Sequence, residues 1–330
     1  MNCAVVGAGA WGTALANVLA ANGHTVALWA REPDVVDAVN QARENRRFLP
    51  GVGIADRVRA TGTIDDALRG AEMITYVAPS HALRDVAASG VRSVHGAAVL
   101  VVASKGIERG SLAIMSDVVG DAVPGYPVVA LSGPSFAAEV ANGQPTAVVA
   151  ASTDMGAASR VQRALSSDVF RVYTHDDVVG VELGGALKNV MAVATGIAEG
   201  LGLGFNSRAA LITRGLAEMT RLGISLGANA ATFAGLAGLG DLVLTCTGAL
   251  SRNRALGIEI GKGHSLEQAL QGKDTVAEGV LNTVSARALA EREGVDMPIV
   301  QAVHRILFEA QAPRRAIAEL MTRELRSEQD

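Results

Sequence analysis

Cysteine is scarce: Cys3 and Cys246 are the only two in 330 residues, too few for a disulfide framework, which points to a reducing compartment. Aromatic side chains make up 3% of the chain and the formal net charge is −4. Neither stacking platforms nor a basic field is therefore present for nucleic acid, and an anionic ligand must be caught by local cations. Charge is missing altogether before Arg31. That absence raises a secretory signal, but no basic residue follows Met1, and Gly7, Gly9 and Gly12 break the apolar run that a signal needs. No run of eighteen or more consecutive apolar residues occurs either, so no membrane span is expected and the protein is expected to be cytoplasmic. His24, His81, His95, His175, His264 and His304 show no ligand spacing, and no metal is assigned.

What is present is 49% apolar sequence with 19% charge, in a chain long enough for about two domains. Up to about Tyr173, the runs CAVV, TVALW, MITYV, AVLVVA, PVVAL, TAVVAA and FRVY read as strands, continuous in apolarity as strands covered on both faces are. Helical spacing lies between them at 11–22, 33–45, 80–89 and 154–166. Strand and helix in alternation predict an α/β, Rossmann-like, mostly parallel sheet with helices on both faces. After Asp177 only helical spacing remains, at 178–200, 206–223, 250–261, 278–293 and 297–310. The expected division is a nucleotide-binding domain over 1–176 and an all-α domain over 177–330, with a ligand cleft between them.

The first strand runs into Gly7-Ala8-Gly9-Ala10-Trp11-Gly12 and then a helix. In that setting the first Gly permits the tight turn, the second admits a pyrophosphate to the backbone, and the third lets helix pack on strand. The second strand ends at Arg31, where an acid usually holds the ribose diol. A cation there suits a 2′-phosphate, so NADP is accommodated and NAD, through Glu32, is not excluded.

Ligands of open α/β sheets sit beyond the carboxyl ends of strands, where VAPSHA, VASKGIE and LSGPSFAAE stand in this chain. Lys105, Gly133 and Ser135 belong to those loops. In the helical half, Asp241 follows a Gly-rich run with Thr245 one turn on, and Ser251-Arg252-Asn253-Arg254 opens a helix where N–H groups and a guanidinium can hold phosphate. Lys188 is the one charged residue between Glu182 and Glu199 of an otherwise apolar helix. Burying an ammonium is costly, so a functional reason is expected.

Together GAGAWGTALA, ASKG, SGPSFAAE, ELGGALKNVMA, RAALITRGLAEMTRLG, GLAGLGDLVLTCT and SRNRALG resemble, in order and over nearly the whole chain, the bacterial NAD(P)-dependent glycerol-3-phosphate dehydrogenase family. The resemblance implies reversible reduction of dihydroxyacetone phosphate to sn-glycerol 3-phosphate for phospholipid synthesis, by a homodimer using NADP or NAD. By the same resemblance Lys188 is the proton donor and acceptor, with Lys105, Asp241 and Thr245 beside it in catalysis. Substrate contacts fall on Lys105, Gly133, Ser135, Lys188, Asp241, Ser251, Arg252 and Asn253. Cofactor contacts fall on Gly7, Gly9, Ala10, Trp11, Gly12, Arg31, Phe48, Lys105, Ala137, Arg252, Val276 and Glu278. VAEG at 276–279 varies a commoner pattern, and ASKG has Ser where many members have Thr.

The chemistry suits a buried lysine. Hydride arriving at a ketone carbon builds negative charge on oxygen, and a positioned donor stabilises and protonates it. Two other readings differ in kind. A Cys-nucleophile dehydrogenase would use Cys246, which has no adjacent His, and a dinucleotide sensor would not need Lys188, Lys105 and Asp241 together.

Overall fold

The computed structural model describes residues 1–272, 277–325 and 327–328. Among the described residues ten strands form: β1 (Asn2–Val6), β2 (Thr25–Trp29), β3 (Glu44–Asn45), β4 (Leu49–Gly53), β5 (Val58–Thr61), β6 (Met73–Tyr76), β7 (Val99–Val102), β8 (Val128–Ser132), β9 (Thr146–Ala151) and β10 (Phe170–His175). Eight make one sheet in the order β10-β9-β8-β7-β6-β1-β2-β5, while β3 and β4 pair as a separate antiparallel ribbon. Every neighbouring pair in the large sheet is parallel except β8 with β9. The order reverses at β1, which lies between β2 and β6. That reversal is the switch point at which such sheets bind ligands.

The continuous apolar runs are explained by burial on both faces. Along β1 and β7, Cys3, Val5, Val99 and Val101 join one core with Leu15 and Leu19 of the Ala10–Ala21 helix and Val161 of the Met155–Leu165 helix. Their neighbours Ala4, Val6, Leu100 and Val102 join a second core with Leu83, Met115 and Val118. Each side chain of the Val/Leu/Ile kind so buried contributes roughly 1.5–3 kcal/mol before the entropy of ordering is counted.

All seven sequence-predicted strands are present. The β3–β4 ribbon and β5 are additions, and a helix expected over 33–45 stops early. It runs only over Pro33–Asp37, continues as a π-turn over Ala38–Ala42, and breaks at Arg43, whose φ of 52° is left-handed. The guanidinium of Arg43 donates to the carbonyls of Val39, Ile54, Ala55 and Val58, which stabilises the break.

Among the described residues no strand follows His175. The chain forms two compact units, Met1–Gly185 with Ala228–Asp241, and Ala186–Gly227 with Leu242–Asp330. The first unit thus extends past residue 176 and takes in a later segment. The reason is apolar: Val181 and Ala237 pack with Ala130, Val149 and Ala151 of the sheet. Asp177 reinforces this by accepting from Gly180 N (2.8 Å), Asn229 N (2.9 Å) and Thr232 Oγ1 (2.6 Å).

Two helical stretches, Val178–Gly200 and Ala230–Thr247, are long and apolar enough by composition to cross a membrane, but 89% of the apolar window in the first is buried within the protein and 44% in the second. The first therefore reads as a core helix.

Candidate active site

The glycine-rich turn sits at the carboxyl end of β1, with its glycines in three different roles. Gly7 has φ +121°, and a Cβ there would lie 3.0 Å from the Val77 carbonyl carbon after β6. At Gly12 a Cβ would stand 1.8 Å from Gly7 O, so only glycine lets the helix approach the strand. A Cβ on Gly9 would meet nothing within 4 Å, and Gly9 is the N-cap of the Ala10–Ala21 helix with no side-chain cap and no acid in its first turn. Open space before uncapped N–H groups fits a pyrophosphate. Trp11 Nε1, buried nearby without a hydrogen-bond partner, borders the same turn, its ring 6.5 Å from that of Phe170. Arg31 lies two residues past β2, its side chain 83% exposed and 3.0 Å from Glu32 Oε1.

The candidate catalytic residues fall into two clusters, one within each compact unit. In the first, Lys105 Nζ donates to Asp241 Oδ2 at 2.6 Å and to Gly133 O at 3.0 Å, and Ser135 Oγ donates to the same carbonyl at 3.0 Å. Asp241 is fully buried, so its carboxylate needs this ammonium. Gly133 has φ +137°, and a Cβ there would be 2.9 Å from Val148 Cα. The paired glycines of ELGGALKN serve this cluster too. A Cβ on Gly184 would be 2.4 Å from Ala237 O, and one on Gly185 would be 2.7 Å from Ser132 Oγ and 3.3 Å from Lys105 Cδ.

In the second cluster Lys188 is 8% exposed and Nζ donates to Thr245 Oγ1 at 2.9 Å. All residues from Gly180 to Ala198 of its helix are buried. Next to it, Asn189 Oδ1 accepts from Asn253 Nδ2 (2.9 Å), and Asn253 Oδ1 accepts from Gly279 N (2.9 Å). Ser251 caps the Arg252–Gly261 helix, accepting from Arg254 N at 3.2 Å. The two arginines of SRNR then part company. Arg254 forks onto Glu199 at 3.0 and 2.6 Å, whereas Arg252 is exposed and makes no ion pair among the described residues. A guanidinium with no ion pair among the described residues, at a helix N-terminus, is able to bind a phosphate ester.

Comparison with known proteins gives the family. The model of the N-terminal part of NAD-dependent glycerol-3-phosphate dehydrogenase matches residues 2–158, and that of the C-terminal part matches 177–318. The chain belongs to this dehydrogenase family. A protein of Citrifermentans bemidjiense named glycerol-3-phosphate dehydrogenase [NAD(P)+] is 52% identical over 98% of both chains, and one of that name from Myxococcus xanthus is 50% identical over 99% of both. The crystal structure of glycerol-3-phosphate dehydrogenase from Coxiella burnetii matches with a TM-score of 0.94 at 42% identity, covering 98% of this chain and 99% of that one.

Set against this family's architecture, Lys105, Asp241, Gly133 and Ser135 meet in one cluster, and Lys188 meets Thr245 in the other. Ala10 opens the helix after the cradle, Ala137 opens the short Ala137–Ala141 helix, and Glu278 opens the Glu278–Glu293 helix beside Gly279. Phe48 packs against the first core with Arg47 stacked 5.3 Å from its ring centre. Val276 lies outside the described residues. Cys246 is fully buried.

Several partners escaped the sequence reading. Ser132 Oγ is buried without a hydrogen-bond partner beside Gly185, Asn282 Nδ2 donates to Ala186 O at 3.2 Å, and Glu199 binds both Arg208 and Arg254. Glu182 and Glu218 are buried acids. Burial pushes each carboxyl up to about 7, against hydrogen bonds from Ser116 and from the Ile299 and Val300 amides. Among the described residues no group of three His, Cys, Asp or Glu side chains could hold a metal ion.

Proposed function

We propose that this chain interconverts dihydroxyacetone phosphate and sn-glycerol 3-phosphate with NADP or NAD, Lys188 moving the proton. The observation that carries the reading is a buried lysine, Lys188, that donates to the Thr245 hydroxyl, in a chain of this dehydrogenase family. When bound, the nicotinamide supplies or takes the hydride. As the carbonyl carbon is reduced, Lys188 Nζ gives its proton to the growing alkoxide, and in oxidation the neutral amine takes it back. Lys105, oriented by Asp241 and Gly133 O, presents a second cation to the substrate and cofactor. Ser135, Ser251 and Asn253 position substrate, and Arg252 with the N-terminal amides of its helix holds the phosphate. Gly7, Gly9, Ala10, Trp11 and Gly12 form the pyrophosphate cradle. Arg31 serves the 2′-phosphate of NADP, and Phe48, Ala137, Val276 and Glu278 complete the cofactor contacts.

Further parts of this reading are a homodimer, a cytoplasmic location and supply of glycerol 3-phosphate to phospholipid synthesis. Exposed apolar side chains of the helical half, Phe205 at 81% and Met321 at 80% among them, support self-association, which sedimentation analysis measures. The deciding experiment follows absorbance at 340 nm, where reduced nicotinamides absorb, with a panel of ketones and both cofactors. Rapid turnover of dihydroxyacetone phosphate and little of dihydroxyacetone is expected. Equal rates with the two would overturn the phosphate assignment.

A further inference from the structure

The Asn45 side chain lies in the β3–β4 ribbon, which the sequence pattern did not show, and is fully buried. Its Nδ2 donates to Ala8 O at 2.8 Å, inside the glycine-rich turn, and to Thr13 Oγ1 at 2.8 Å on the helix that follows. Its Oδ1 accepts from Phe48 N at 3.2 Å. Both donors and the acceptor are thus used, and they tie the glycine-rich turn and its helix to the Phe48 backbone after β3. The left-handed break at Arg43, just before, brings Asn45 back to the loop.

We infer that Asn45 is a positioning residue for dinucleotide binding, clamping the Ala8 peptide of the phosphate cradle and the Phe48 backbone in one relative arrangement. The inference rests on the dinucleotide reading of the cradle. The mechanism is preorganisation. A Gly-rich turn has many accessible backbone states, and the amide removes them before the ligand arrives. Without the clamp the turn must be ordered at the expense of binding free energy, so affinity falls while the chemical step does not.

The test titrates NADPH into wild type and variants by fluorescence and measures steady-state kinetics alongside. Asn45→Asp keeps the shape but replaces both donors with acceptors facing Ala8 O. Thr13→Val removes one anchor and is the milder change. As a control, Asn40→Ala breaks the bonds of another amide in the same region, Asn40 Nδ2 to Ala60 O (2.9 Å) and Ala60 N to Asn40 Oδ1 (2.9 Å), without touching the turn. Asn45→Asp is expected to raise the Kd and KM for NADPH about tenfold or more. The kcat at saturating NADPH and the KM for dihydroxyacetone phosphate should stay within about twofold, and Asn40→Ala should leave NADPH affinity unchanged. Wild-type affinity in Asn45→Asp, or an equal loss in Asn40→Ala, would overturn the inference. If Asn45→Asp does not fold, unchanged affinity in Thr13→Val overturns it instead. Failure of the wild type itself to bind NADPH would sink the dinucleotide reading, a separate result.

Discussion

At the scale of single residues, Lys188 and the two arginines of SRNR show how much a neighbour decides. Lys188→Ala removes the proposed proton donor and should lower turnover by about 10²–10⁴-fold. NADPH binding, measured by fluorescence, should persist in it. The pH profiles of the two directions have opposite signs. Reduction needs the ammonium and slows as pH rises through its pKa, while oxidation needs the neutral amine and speeds up. Arg252→Ala should raise the KM for dihydroxyacetone phosphate at least tenfold with little change in unfolding free energy, because its guanidinium makes no ion pair among the described residues. Arg254→Ala should do the reverse, since it leaves the Glu199 carboxylate half-buried with only Arg208. A denaturation curve and a KM for each variant decide the point. Position within SRNR does not separate the two arginines, and only the family resemblance pointed to Arg252. Only Glu199, brought back by the fold from another helix, tells them apart.

At the scale of elements, the Val178–Gly200 and Arg252–Gly261 helices cross backbone to backbone through four glycines. A Cβ on Gly196 would be 2.1 Å from Arg254 O, one on Gly200 2.2 Å from Ile258 O, one on Gly257 2.2 Å from Val193 O, and one on Gly261 2.3 Å from Ile197 O. Neither side has room to give, because the obstacle in each case is backbone. Gly257→Ala should therefore cost about 3 kcal/mol or more of stability, at the upper end of overpacking effects. It should also raise the KM for the phosphorylated substrate, since the Ser251–Asn253 turn rides on that helix. Gly53→Ala is the control: nothing lies within 4 Å of its Cβ position, and a change within about 0.5 kcal/mol in urea denaturation is expected. Glycines four apart are visible in both helices of the sequence. That the two pairs face each other is a tertiary fact, since spacing specifies a helix face but not what covers it.

For the whole molecule, the buried glutamates make stability depend on pH. Glu182 and Glu218 have carboxyls pushed from 4.5 up to about 7 by burial. The folded state therefore binds protons more tightly than the unfolded chain between those values. The stability so gained is complete below 4.5 and is lost as pH rises through about 7, on the order of 3 kcal/mol for each acid. Glu218→Gln keeps a carbonyl for the Ile299 amide but cannot ionise. Relative to wild type it should gain stability between about pH 5 and 8, read from denaturation curves at both, and parallel profiles would exclude this role.

The order of elements, the parallel sheet, the glycine-rich turn and the lone lysine of the Val178–Gly200 helix are written locally in this chain. Apolar periodicity sets which faces are buried, a φ only glycine adopts sets the turns, and a lone ammonium in an apolar helix advertises itself. The tertiary structure alone decided that residues 228–241 join the sheet-bearing unit, that Arg254 rather than Arg252 is taken up by Glu199, and that Asn45 reaches Ala8. In each case the deciding partner lies tens of residues away. A pattern read along the chain reports what a residue needs, while the fold settles which distant group meets that need.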